Sequence, residues 1–152
     1  MSEEFEESKN GRLSRNVTDL LQELRVAQAG VQILFGFLLS VAFTSQFREA
    51  SGFEKATHLV AVLFAVTSTV LLTAPAAWHR LLFRTGRREE IVTHGNRLVI
   101  AGLGFLAAAL TVTVGLIAKV VYGPVAMAVV LVLVTALFAV TWFVYPLRLL
   151  QR

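Results

Sequence analysis

Four apolar stretches, about residues 26–46, 57–77, 98–118 and 124–145, carry a single ionisable side chain between them, His58, near the start of the second. Each is about as long as the ~20 residues a helix needs to cross the hydrocarbon core of a bilayer. The hydrophobic fraction is 56% and the charged fraction 16%, arranged in runs rather than in alternation, which is membrane composition. The predicted fold is therefore all-α, an integral membrane up-down four-helix bundle. Residues 1–25 and 78–97, the longest stretches outside the spans, are too short to bury a core of their own. A cleaved leader is not expected, because Glu3, Glu4, Glu6 and Glu7 precede the first apolar run and no convincing small-x-small cleavage site follows it.

Lysine and arginine orient the spans. Lys9, Arg12, Arg15 and Arg25 precede the first, Arg80, Arg84, Arg87, Arg88 and Arg97 lie between the second and third, and Arg148 and Arg152 follow the fourth. Only Arg48, Lys55 and Lys119 fall on the opposite side. Cytoplasmic loops carry the excess of basic residues, so both termini and the second connector are predicted to be cytoplasmic. Trp78, Trp142 and Tyr145 at inner edges and Tyr122 at an outer one suit the interfacial preference of aromatic rings.

Residues 1–12 are acidic and polar without apolar periodicity and are predicted to be disordered. From residue 13 to 152 one four-helix domain is expected. Leu13, Val17, Leu20 and Leu24 recur at helical spacing, and no breaker follows, so the first helix is predicted to extend N-terminally into the cytoplasm. Short links at 47–56 and 120–124 make consecutive spans antiparallel neighbours. Pro75 removes the donor that the Leu71 carbonyl would use, which predicts a kink in the second span.

Gln22, Arg25, Gln28, Gln32 and Ser40, with Thr18 and Gly36, share one face of the first span. Amides entering hydrocarbon must face protein or a wet cavity. Interhelical hydrogen bonding is the favoured reading, and the wall of a polar pathway is the alternative. Ala101, Gly104, Ala108, Thr111 and Gly115 form a stripe of small residues on the third span, the predicted seam of closest packing, with Leu106 off that face. At the cytoplasmic rim Glu23, His79, Arg80, Arg84, Asn96 and Arg97 are expected at similar depth. Snorkelling at a charged surface is the first reading of this cluster, and an anion or lipid-headgroup site the second.

Enzyme signatures are absent. Without cysteine there is no thiolate chemistry, and His58, His79 and His94 are too scattered for a metal motif. No glycine-rich phosphate loop or nucleophile elbow is present, and Ser40 and Ser68 lie deeper than the histidines. No catalytic, cofactor-binding or metal residue is assigned, and no cofactor is expected. The net charge of +4 is accounted for by topology, so nucleic acid is not an expected partner. The expected partners are the lipid bilayer and either a second copy of the chain or another membrane protein.

The run Leu20–Phe35, with Ala74-Pro75, His79–Arg84 and Asn96-Arg97, resembles an uncharacterised family of small actinobacterial membrane proteins, a domain of unknown function. The resemblance covers most of the chain from about Asn16. It implies four spans in a bacterial plasma (inner) membrane. Some members of that family carry a sodium:proton antiporter label. Antiport ordinarily needs an Asp or Glu within the membrane, and all ten carboxylates lie outside the four stretches. The expected role is structural, accessory or regulatory, with a small oligomeric ion transporter or channel as the alternative.

Overall fold

The structure, a computed structural model, describes residue 22 and residues 24–82 and 88–150. All its elements are helical: α1 (Leu24–Ala42), α2 (Ser45–Glu49), α3 (Gly52–Leu82), α4 (Arg88–Tyr122), α5 (Pro124–Ala139), a π-helical stretch Val140–Val144, and α6 (Tyr145–Leu150). Four helical segments are long and apolar enough to cross a membrane: α1, Gly52–Trp78 of α3, His94–Tyr122 of α4, and Pro124–Arg148. The expected disordered leader, the helical extension from Leu13, Glu23 and Arg84 lie outside the described residues.

Helix ends differ from the apolar limits in instructive ways. The first helix stops at Ala42 rather than near Gln46, because the Thr44 hydroxyl accepts a hydrogen bond from the Phe47 amide at 3.2 Å and caps the short α2. The second begins at Gly52 rather than Thr57. The span from Trp78 to Arg97, expected as a connector, is largely helix, with α3 running to Leu82 and α4 starting at Arg88. Hydropathy marks where apolar side chains stop. Backbone bonding continues through the Arg and Glu residues beyond, which are good helix formers.

The two internal prolines are handled differently. Near the C-terminus the Tyr145 amide bonds the Val140 carbonyl, one residue further back than in an α-helix. This wide turn lies directly before Pro146, whose ring would clash with the Trp142 carbonyl in a regular turn. Pro75 is buried, and α3 continues through it to Leu82.

The chain forms two compact units. One combines α1 up to Ile33, α3 from Thr67 and α4 up to Gly104. In it Gln28 donates its amide to the Leu72 carbonyl at 3.2 Å, next to the carbonyl that Pro75 deprives of a donor. The Ser68 hydroxyl donates to the Gly102 carbonyl at 2.8 Å. The Pro75 ring lies 3.5 Å from where a Gly95 Cβ would stand. The other unit combines α1 from Leu34, α2, α3 up to Val66, and the chain from Phe105 onward. Its core is Leu34, Leu38, Ala61, Ala65 and Ala109, with the Phe64 and Phe105 rings edge to face at 5.7 Å. Within each unit the α3–α4 contacts run in opposite sequence directions.

Only part of the stripe expected from small residues lies at a close seam. Thr111 and Gly115 of that stripe are buried, but Ala101 and Gly104 are exposed, and a Cβ on Gly104 would meet nothing within 4 Å. Burial on α4 follows Gly95, Val99, Gly102, Ala109, Thr113 and Leu116 instead, at spacings that keep one face inward, and Leu106 is packed against the core. A second buried line, Ala107, Thr111, Gly115 and Ala118, includes the point where Leu131 of α5 comes within 2.7 Å of a Gly115 Cβ position. Small size permits close approach on any face. The neighbours' side chains decide which face is used.

A Cβ on Gly102 would sit 2.9 Å from Leu72 side-chain atoms and 3.2 Å from the Leu71 Cβ. Overpacking of this kind costs about 1–3 kcal/mol. Gly102→Ala should therefore lower the thermal midpoint in detergent. Gly104→Ala should leave it unchanged or raise it, since Ala gains up to about 1 kcal/mol over Gly in a helix. Equal responses would show that α3 and α4 do not meet at Gly102.

Candidate functional site

The residues expected on one polar face divide by burial. Gln22, Arg25, Gln32 and Ser40 are exposed, whereas Gln28 is half-buried and spends its amide on Leu72. Ser40 bonds the Gly36 carbonyl of its own helix at 2.9 Å. Only Gln28 of this stripe therefore carries an interhelical bond among the described residues. Of the rim cluster, Arg80, Asn96 and Arg97 are exposed, and no hydrogen bond or ion pair joins these three to one another. Glu23, Arg84 and the His79 side chain lie outside the described residues.

The best-built polar arrangement is at one end of the second unit, where α2, the start of α3 and the end of α4 meet. Ser51-Gly52-Phe53-Glu54 forms a reciprocal cap. The Ser51 amide donates to Glu54 Oε2 at 2.8 Å, and the Glu54 amide donates to the Ser51 hydroxyl oxygen at 3.3 Å. The Ser51 hydroxyl also donates to Oε2, at 2.9 Å. The other carboxylate oxygen accepts from Lys119 Nζ at 2.9 Å, between side chains 20% and 22% exposed. Lys119 also lies 4.9 Å from the centre of the Phe53 ring. Each charge suits its helix end, the acid at the start of α3 and the base in the last turn of α4.

Four residues beyond Glu54 in α3, His58 is buried, at 6% exposure. Its Nε2 lies 2.9 Å from the Leu38 carbonyl, and its ring packs on Phe47 with centroids 4.6 Å apart. A carbonyl can only accept, so Nε2 carries a proton. One side chain thus ties α1, α2 and α3 together. Beside it opens a cavity of about 390 Å³, walled mainly by apolar side chains such as Phe37, Val41, Ile117 and Val120.

The sequence signal for this end was the Ser-x-x-Glu pattern directly before an apolar run, which marks a helix start. Lys119 has no local signal, since its partner is 65 residues away. Among the described residues no group of three or more His, Asp or Glu side chains could hold a metal ion.

The model of DUF6328, a family of unknown function, matches residues 6–146, and the chain belongs to that family. No curated protein and no solved structure matches it.

The Glu54–Lys119 pair makes a stability prediction. Glu54→Gln should lower the thermal midpoint more than Glu49→Gln, because Glu49 is exposed in α2. Lys119→Met should cost little more in the Glu54→Gln background, since both changes break the same bond. Additive losses would mean that the two side chains act independently.

Proposed function

We propose that this protein is a four-span, up-down helix bundle of a bacterial plasma membrane, with both termini cytoplasmic, and that its role is structural, accessory or regulatory rather than catalytic. The observation that carries the reading is where the interior polar groups go. Gln28, His58, Ser68, Thr111 and Thr113 each bond a backbone carbonyl of the same chain, and every buried side-chain polar atom among the described residues has a partner. Groups engaged in this way hold helices together. They offer no series of free ligands to a passing cation.

Membrane insertion is supported by the outer surface of the helices. Val26 and Ile33 on α1, and Val125, Val132 and Leu137 on α5, are each more than 60% exposed. No residue of α5 is buried, although it is the most apolar of the four candidate spans. A helix apolar on all sides has lipid as its natural surroundings. Antiparallel contacts between α1 and α3 and between α3 and α4 support the up-down order, and the excess of Arg and Lys before residue 26, from residue 80 to 97 and from residue 148 onward supports the orientation.

The second reading, a small oligomeric ion transporter or channel of sodium:proton antiporter type, is favoured by Gln32. Its amide is exposed on an apolar helix, where a second copy could cover it. The two readings separate in liposomes. Under imposed pH, sodium and potassium gradients the purified protein should give no flux above empty vesicles. Saturable flux lost in Gln32→Leu would overturn the structural reading.

A further inference from the structure

We propose that the cavity beside His58 is a binding site for a small amphiphile, an apolar body carrying one hydroxyl or phenol donor. The argument begins with the ring. Its Nε2 is committed to the Leu38 carbonyl, and both described interactions of the side chain are that bond and the Phe47 stack. In the uncharged ring the single proton is therefore on Nε2, which leaves Nδ1 as a bare lone pair. Since no fully buried side-chain nitrogen or oxygen among the described residues lacks a partner, this unpartnered Nδ1 is not sealed in the interior. His58 lines the cavity, and in the proposed site Nδ1 opens onto it.

The other polar groups on the wall are already engaged. Thr113 donates to the Ala109 carbonyl at 2.7 Å, Thr44 to the Val41 carbonyl at 2.7 Å, and Glu54 is taken up by Ser51 and Lys119. Gln46 and Glu49 stand exposed. Apart from these two exposed side chains, what remains is an apolar chamber with one acceptor, the pattern of a small-molecule pocket in which few polar groups fix orientation. Its volume, about 390 Å³, falls within the range of such pockets. The lining suits a cation poorly: of its two carboxylates, Glu54 is neutralised by lysine and Glu49 stands exposed, and no group of three or more His, Asp or Glu side chains among the described residues could hold a metal ion. An anion would meet a lone pair. A neutral hydroxyl donor satisfies Nδ1, and its hydrocarbon part replaces water against Ile117 and Val120.

The site is additional to the structural role and does not require transport or its absence. The test uses the full chain in nanodiscs at pH 8 with a diazirine-bearing alkylphenol as photolabel, mapped by mass spectrometry. Label should concentrate in residues 37–58 and 113–121. Unlabelled 4-hexylphenol should compete about fivefold more effectively than hexylbenzene, the value of one ordinary hydrogen bond. Ile117→Trp, which fills the chamber from an exposed position, should abolish the protected labelling without loss of folding. Label spread over all four helices, or equal competition by the two compounds, would overturn the proposal whatever the liposome flux shows.

Discussion

A polar group removed from water costs free energy unless it finds a partner, and between packed apolar helices the only abundant partners are backbone carbonyls. The described interior is organised by that constraint. Ser68 reaches the Gly102 carbonyl across to α4, His58 reaches Leu38 on α1, and Gln28 reaches Leu72 on α3. Each bond crosses between helices, so satisfying the polar atom also fixes which helix faces which. Thr111 and Thr113 instead fold back on their own helix, at Ala107 and Ala109, and so can face a neighbour without demanding anything of it. Dispersion then fills the remaining contacts, most closely where Gly102 admits Leu72 and Gly115 admits Leu131.

Charge is kept to the ends of the apolar segments. Glu54 is the one carboxylate within them, and it occupies the first turn of α3, where it caps the helix and pairs with Lys119. A lone acid at that position would need solvent. With Ser51, the helix start and a lysine around it, the carboxylate can stay at the edge of an apolar layer. The same residue therefore serves α3 locally and holds the end of α4 against it.

Much of this architecture was legible in the chain. The apolar runs marked all four long helices, because a span needs length and hydropathy and little else. Their limits were less legible. Thr44 and Ser51 set the ends of α1 and α3 by hydrogen bonding that hydropathy does not register, although the Ser51-x-x-Glu54 pattern was visible. Gln28, read from sequence as a polar residue needing a partner, donates to the Leu72 carbonyl, but its neighbours Gln32 and Ser40 on the same stripe are exposed, since a 3.6-residue period gives a face without saying what lies against it. The same ambiguity misplaced the seam on α4 at Gly104 in place of Gly102. His58 and Lys119 gained significance only through residues far away in sequence, Leu38 and Glu54.

The central claim is that these four helices cross a membrane with the arginine-rich connector inside. The chain has no cysteine, so an introduced one is the sole thiol available to a membrane-impermeant maleimide. In intact cells Ala50→Cys and Tyr122→Cys should be labelled, while Gly86→Cys and Gln151→Cys should react only after permeabilisation. Labelling of Gly86→Cys from outside, or of neither pair before permeabilisation, would contradict the account.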